Sequence, residues 1–409
     1  MARWESWLWA VLAMSGPASA YSSRLTFAIQ PVILSDDDGS RQAQITPAQI
    51  RTWVDRSNRI WKHAGIAFEL QNEPLALRST QLNGMMGETD SDWDAKRNAA
   101  NRVAWRYPGR LVVFFRFGPG PEPTHHSFSW TDVGFVVMGD FEGNVICGRE
   151  NLDLLAHEIG HYFGLSHTFT RTFGTVEEAE EHLKVRAETM PAGSNELLYA
   201  PFIRSLTCTS EAAVTLAGRT LPIPRDNLMS YYGRPGHSPK PDVLTPHQMA
   251  WARRIAELRI VGAGRLPVNT DATSALQFEQ MEQDDNRGVM PAAELTGESW
   301  GGGKALFCRA VKGGQISFRV PVPAGGRYRM ELYAAYGPDY GNLRVLMDGR
   351  VVKREVRTWA PLVTPSGLIV LGSPRLSQGA HTLRIEIGAK QPASHGYNLA
   401  LDALRLTRQ

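Results

Sequence analysis

Between residues 24 and 261 the apolar positions switch between two periods. Arg24–Leu34 (RLTFAIQPVIL) opens with alternation and reads as a strand, and Asp36-Asp37-Asp38-Gly39 reads as the turn that closes it. Thr46-Pro47 offers an N-cap and a proline at the first helical position, and Ile50, Trp53, Val54, Ser57 and Ile60–Trp61 recur at helical spacing. That helix is expected to end near Ala64-Gly65, with a strand over Ile66–Leu70. Leu111–Phe117 (LVVFFRF) is a nearly continuous apolar run, the mark of a buried strand, which Gly118–Pro123 breaks. Ser127–Trp130 and Val133–Met138 read as two further short strands, and a helix is expected from about Asn151. Val176–Arg186 predicts a charged, exposed helix, and Thr245–Leu258 another that Thr-Pro again opens. Strands alternating with helices place residues 21–165 in a mixed α/β class.

The pattern changes after Val261. Residues 263–274 are polar and without periodicity, as in a linker. From Ala275 short β-like runs follow one another between Gly, Pro and Asp turns: Gln315–Val320, Arg327–Tyr333, Leu343–Met347, Leu368–Leu371, Thr382–Ile387 and Leu399–Leu406. Asp348-Gly349 is a hairpin signal between two of them. Regular short strands at this spacing predict an all-β sandwich over 275–409.

Composition narrows the partners. Forty-four Lys and Arg stand against 41 Asp and Glu, a net charge of +3 with no basic cluster, so no nucleic-acid partner is expected. Three cysteines are too few for a disulfide-built scaffold. Arg3, the apolar run Trp7–Met14 and Ala18-Ser19-Ala20 have the form of a signal peptide over 1–20, cleaved before Tyr21. That run is far short of the roughly 20 residues a bilayer requires. A secreted or periplasmic protein with no membrane span after cleavage is therefore expected. The mature chain then divides into 21–262, a linker over 263–274, and 275–409.

The chemistry concentrates in His157-Glu158-Ile159-Gly160-His161-Tyr162-Phe163-Gly164-Leu165-Ser166-His167. Histidines four apart on a helix project from one face about a turn apart and can share one tetrahedral zinc. Glu158, rotated by about 100° from His157, can reach a water held there without being a ligand. Gly164 can take positive φ, end the helix and let His167 return as third ligand, which leaves a fourth position open as in catalytic sites. The His-Glu-x-x-His core alone arises by chance in about one chain of this length in a hundred, and the fixed glycine and third histidine lower that to about one in 100,000. Leu152, Leu155, Ile159 and Phe163 supply an apolar stripe beside the ligand face. His125-His126 offer either extra ligands or a solvated pair, and the three consecutive aspartates at 36–38 either a calcium loop or a solvated turn.

This motif resembles that of the metzincin metallopeptidases, and Asp226-Asn227-Leu228-Met229-Ser230-Tyr231-Tyr232 is similar to their Met-turn. Thr168-Phe169 after the third histidine, the Asn-Leu-Met-Ser-Tyr turn and Leu244-Thr245-Pro246-His247-Gln248 look most like the pappalysin family, over roughly residues 24–260. The resemblance implies an α+β zincin domain with a mixed sheet and an active-site helix. It also implies Met229 packed beneath one catalytic zinc, and Tyr231 near the metal or the oxyanion. The implied activity is secreted zinc endopeptidase, with Glu158 as general base and a protein or peptide as substrate. The family's cysteine-bearing segment is reduced to Cys208, which leaves its calcium unsupported. Cys147 and Cys208, in one domain of an exported protein, are expected to pair, with Cys308 a buried free thiol. Alternatives are an idle protease fold that serves attachment, and a zinc amidase acting on cell-wall cross-links.

Residues 275–409 resemble galactose-binding-like jelly-roll sandwiches of the carbohydrate-binding-module type. Phe278-Glu279, Gly301-Gly302-Gly303, Val320–Tyr328, Val345–Gly349, Gly379–Ile385 and Leu401–Leu406 carry the likeness. These are framework residues, so they support fold rather than ligand. Trp300, Tyr336, Tyr340 and Trp359 are the aromatic faces that could meet a glycan.

Overall fold

The computed structural model describes residues 23–70, 73–87, 90–118, 127–139, 145–169, 171–189, 198–235 and 244–409. The signal-peptide residues 1–20 and His125-His126 lie outside them. The chain divides into two compact units, one ending at Gly264 and one beginning at Arg265.

The first unit is built on a parallel sheet. Strands β1 (Leu25–Ser35), β2 (Ile66–Leu70), β3 (Leu75–Arg78), β4 (Arg110–Phe115) and β5 (Phe135–Met138) run in the order β2-β1-β4-β5, and β3 joins the far end of β1. Parallel strands need crossovers, and the amphipathic helices supply them. Helix α1 (Pro47–Trp61) has the capping box its sequence promised: the Thr46 hydroxyl accepts from the Gln49 N–H, and Gln49 returns the bond to the Thr46 N–H. Its buried face is Ile50, Trp53, Val54, Ser57, Ile60 and Trp61. Gly65 then turns the chain at φ 66° into β2.

Helix α2 (Trp93–Ala104) had no signal in the apolar pattern, because its buried residues are Ala100, Asn101 and Ala104. Ser127–Trp130, expected as a strand, is a single antiparallel bridge from Phe128 to Val137 on the edge of β5. Ser129 Oγ bonds the Phe135 carbonyl instead of continuing a ladder. The aspartates at 36–38 form a turn: Asp36 is buried against Arg41 and Asn83, and Asp38 accepts from the Ser40 N–H. Cys147 and Cys208 form a disulfide across 61 residues, and Cys308 is a buried free thiol whose pKa burial pushes up to about 12.

The second unit is a sandwich-like antiparallel sheet. Strands β6 (Gln283–Thr296), β7 (Lys304–Val322), β8 (Gly326–Tyr336), β9 (Leu343–Met347), β10 (Arg350–Val356), β11 (Thr364–Gly372), β12 (Gly379–Ile387) and β13 (Leu399–Arg408) run in the order β10-β9-β12-β7-β13-β8-β11, with β6 on β7. The first half of β7 pairs with β13 and the second half with β12, so this one long strand serves both layers. Phe278, Phe318, Met330, Leu332, Leu383, Ile385, Leu401 and Leu404 fill the space between them. Asp348 and Gly349 take φ 49° and 74°, the doubly positive turn a two-residue hairpin requires. Within the stretch read as a linker, Thr270–Ser274 is a 3-10 helix of this unit, and Asn269, fully buried, donates to the Ala334 carbonyl. Among the described residues no helix is long and apolar enough to cross a membrane.

Candidate metal centre

Helix α3 (Leu154–Tyr162) carries the motif and is held from below by α1. Trp53 Nε1 donates to the Asn151 carbonyl and Trp61 Nε1 to the Ala156 carbonyl, each at 3.2 Å. Arg56 pairs with Asp153 at 2.7 Å, just ahead of the helix. Phe163 lies among the rings of Phe27, Trp61 and Phe68. Helix α4 (Val176–Thr189) follows in the chain, and helix α5 (Pro246–Val261) braces the other end of α3: buried Arg259 donates to the carbonyls of Tyr162, Gly264 and Thr131.

Gly164 takes φ 78° and its N–H bonds the His161 carbonyl, which reverses the chain. His167 thereby comes back over the helix. His167 Nε2 lies 3.0 Å from His161 Nε2 and 3.3 Å from His157 Nε2. A tetrahedral ion with bonds of about 2.05 Å would set its ligands about 3.3 Å apart, so the three nitrogens fit one such ion. Two of the rings have their tautomer fixed. His157 Nδ1 bonds the Leu228 carbonyl and His161 Nδ1 the Leu165 carbonyl, both at 2.7 Å. A carbonyl only accepts, so each Nδ1 is protonated and each Nε2 keeps its lone pair for a metal. These three histidines are the group among the described residues able to hold a metal ion; the donor set by itself does not identify which metal.

Glu158 is 4 % exposed and its Oε2 has no hydrogen-bond partner. Burial pushes its pKa up to about 8, against a lowering by the Ser129 backbone N–H. The edge segment 127–130 thus orients a carboxyl that is protonated at neutral pH in the metal-free protein. Desolvation lowers the His161 pKa, which keeps that ring neutral. Tyr231 is 39 % exposed, its ring centroid 4.5 Å from that of His167 and 5.9 Å from that of His157. Burial, then the nearby Glu158, pushes its pKa up to about 12, so it keeps its proton. Met229 is fully buried, and a Cβ on Gly160 would overlap its Sδ, so the methionine occupies the space this glycine leaves.

The four aromatic residues expected as glycan faces differ in exposure. Trp300, Tyr340 and Trp359 are buried at 7 %, 1 % and 8 % exposure, and Trp300 and Tyr340 pack with Ala305, Ala335 and Ala400. Tyr336 is partly exposed. Their spacing in short β runs left core and surface roles open, and three of the four are buried.

A set of oxygens that sequence reasoning missed lies elsewhere in that unit. Asp402 is fully buried: Oδ2 accepts from the Gly301 N–H at 2.9 Å, while Oδ1 has no partner. Gln277 Oε1 and Glu279 Oε2 are also buried without one. Gln277 packs against Gly302, and Glu279 acts electrostatically on Asp402. Burial pushes the Asp402 pKa up to about 6. The only sequence signal was a lone aspartate inside an apolar strand. Because the folded pKa is above the unfolded value of 3.8, this group's contribution to stability is complete below pH 3.8 and is lost as pH rises through 6. Melting of the second unit is therefore expected to fall between pH 4 and 7, and calorimetry on the full chain across that range checks it; a fall equally present in Asp402→Asn would remove Asp402 as its cause.

No protein-family model and no curated protein matches the chain. Similarity is found to solved structures. A Paenibacillus xanthan lyase shares 19% identity at a TM-score of 0.30, covering 35% of this chain and 14% of that one. A Podospora anserina β-(1,4)-mannanase shares 18% at 0.24, covering 33% and 27%. A family 35 carbohydrate-binding module from Clostridium thermocellum shares 17% at 0.24, covering 33% and 97%. The chain spans less than a third of the lyase and of the mannanase. The antiparallel sandwich of the second unit agrees with the carbohydrate-binding-module part of the sequence resemblance, and none of these structures is a metzincin or a pappalysin. They are glycan-acting enzymes and a carbohydrate-binding module, not metallopeptidases. On that finding the expected secreted zinc endopeptidase is corrected: neither metalloprotease activity nor a peptide substrate is retained. The idle-protease and cell-wall amidase alternatives are given up with it.

Proposed function

We propose that the protein is exported and glycan-directed, that His157, His161 and His167 hold one zinc ion on a zincin-type scaffold, and that this centre hydrolyses an acyl ester carried by a glycan. The observation that carries the reading is the convergence of three imidazole Nε2 atoms beside a buried, oriented carboxyl. A zinc ion at such a site supplies Lewis acidity and lowers the pKa of a bound water to about 7. Glu158, held by the Ser129 N–H, accepts the proton of the attacking water and returns it to the leaving alcohol. Tyr231 retains its proton and donates a hydrogen bond to the developing oxyanion. Glycan direction is supported by the sandwich fold of the second unit, a fold that hosts other functions too. The Cys147–Cys208 disulfide is consistent with export to an oxidising compartment.

The test is release of acetate from a panel of O-acetylated plant and bacterial polysaccharides by the zinc-loaded full chain. Release that stops on chelation and returns with zinc is expected. No release from any polysaccharide, by a protein shown to hold zinc, would remove the ester reading.

A further inference from the structure

The carbonyl that fixes the His157 tautomer belongs to Leu228, and the residues on both sides of it are tied down. Asn227 Oδ1 accepts from the Met229 N–H at 2.9 Å and from Gln248 Nε2 at 3.1 Å. In return Asn227 Nδ2 donates to Gln248 Oε1 at 2.9 Å. Two amides thus face each other and exchange both bonds. Gln248 is not free to move, because it is the capping-box residue of α5: its Oε1 also accepts from the Thr245 N–H, and its own N–H bonds Thr245 Oγ1. On the other side the Met229 carbonyl accepts from the Thr168 N–H, one residue after the third histidine. Asn227, Leu228 and Met229 are all buried.

We infer that the Asn227–Gln248 amide pair is a positioning clamp for the metal centre, acting through the Leu228 carbonyl to hold His157 with its Nε2 lone pair on the ion. The inference rests on the zinc reading above. The physical argument is one of degeneracy. A neutral imidazole has two tautomers, and only a fixed acceptor at Nδ1 selects the one that ligates through Nε2. An acceptor on a turn is fixed only as well as the turn, and this turn is bolted to a helix N-terminus by a side-chain pair rather than by a ladder. Gln248 therefore has two separable duties: its Oε1 and N–H cap α5, and its Nε2 completes the clamp.

Substitution separates them. Gln248→Glu keeps the cap acceptor but loses the donor to Asn227 Oδ1, and Gln248→Ala loses both. Thr245→Ala damages the cap and leaves the amide pair its partners. Zinc dissociation constants of the full chain, measured by competition with a chelating indicator, should rise about 10–100-fold for Gln248→Ala and to a lesser degree for Gln248→Glu. Thr245→Ala should lower the melting temperature yet bind zinc within about 2-fold of the parent, since losing a cap costs stability alone. Nitrogen-15 spectra of the histidine rings in the metal-free protein should show His157 protonated at Nδ1 in the parent and distributed between tautomers in Gln248→Ala. A parent that binds zinc, with Gln248→Ala binding equally well and His157 unchanged, overturns the clamp and spares the zinc reading. Equal loss of affinity in Thr245→Ala also overturns it, because the cap would then suffice. A parent that binds no zinc overturns both.

Discussion

His161→Ala is expected to weaken zinc binding by a factor on the order of 1000 or more, about 4 kcal/mol, while the metal-free protein keeps its fold. His161 is the ligand closest to His167, at 3.0 Å between their Nε2 atoms. Without it two imidazoles remain, too few for the tetrahedral set of three protein ligands and an open position. The fold does not depend on the ring. His161 is only partly buried, whereas Leu155, Ile159 and Phe163 on the same stretch are fully buried and hold the helix. Two measurements separate the outcomes. Zinc in excess, at about 100 times the parent's dissociation constant, should stabilise the parent by about 2.7 kcal/mol and leave the variant's melting unchanged. Equilibrium dialysis should then find one zinc per parent chain and none on the variant. A variant that binds zinc as tightly as the parent would show that the histidines are not the ligands. Protons compete for the same nitrogens, so affinity should fall as the solution is acidified. Desolvation lowers the His161 pKa, which moves that competition at this ring to more acid solution.

The candidate metal centre was legible in the sequence because its parts are local. Eleven consecutive residues carry the three histidines, the carboxyl and the glycine that turns the chain, and one helix followed by one reversal assembles them. The periodic elements were legible for a similar reason: α1 buries the face its spacing marked, and Asp348-Gly349 made the turn its type demanded. What escaped has three physical sources. Helix α2 buries alanine and asparagine, so its packed face is small and polar and leaves no apolar period. Strand β6 is exposed along nearly all its length and is defined by its partner β7, a contact no local pattern encodes. Trp300, Tyr340 and Trp359 have one-letter patterns that suit a sugar platform as well as a core, and burial alone distinguishes the two. The effect of Glu279 on Asp402 joins residues more than 120 positions apart, so only the folded sandwich brings it about. The activity is a different matter. A water-activating centre defines what attacks, not what is attacked, so the step from motif to peptidase was inherited from a resemblance, and comparison with solved structures removed it.

Glu158→Gln should keep the metal and lose the chemistry. Glutamine has the same shape and can still accept from the Ser129 N–H, so zinc affinity should stay within several-fold of the parent. It cannot accept a proton, and removing the general base should cost about 10²–10⁴ in rate of acyl release. The carboxyl also has a signature outside catalysis. Its folded pKa of about 8 exceeds the 4.5 of an unfolded glutamate, so its contribution to stability is complete below pH 4.5 and is lost as pH rises through 8. The metal-free Gln variant should therefore melt with the parent at pH 4.5 and above it at pH 9, where the parent must carry a buried, unpaired charge. An ion in the histidine cluster reverses the preference, because a nearby cation favours the carboxylate. At pH 7 zinc binding to the parent should then release on the order of one proton more than binding to the variant, read by titration calorimetry in buffers of different ionisation enthalpy. Equal proton release, with melting curves that coincide at pH 9, would mean that Glu158 is not the protonated neighbour of the metal. Acyl release that survives in the variant would mean that it is not the base.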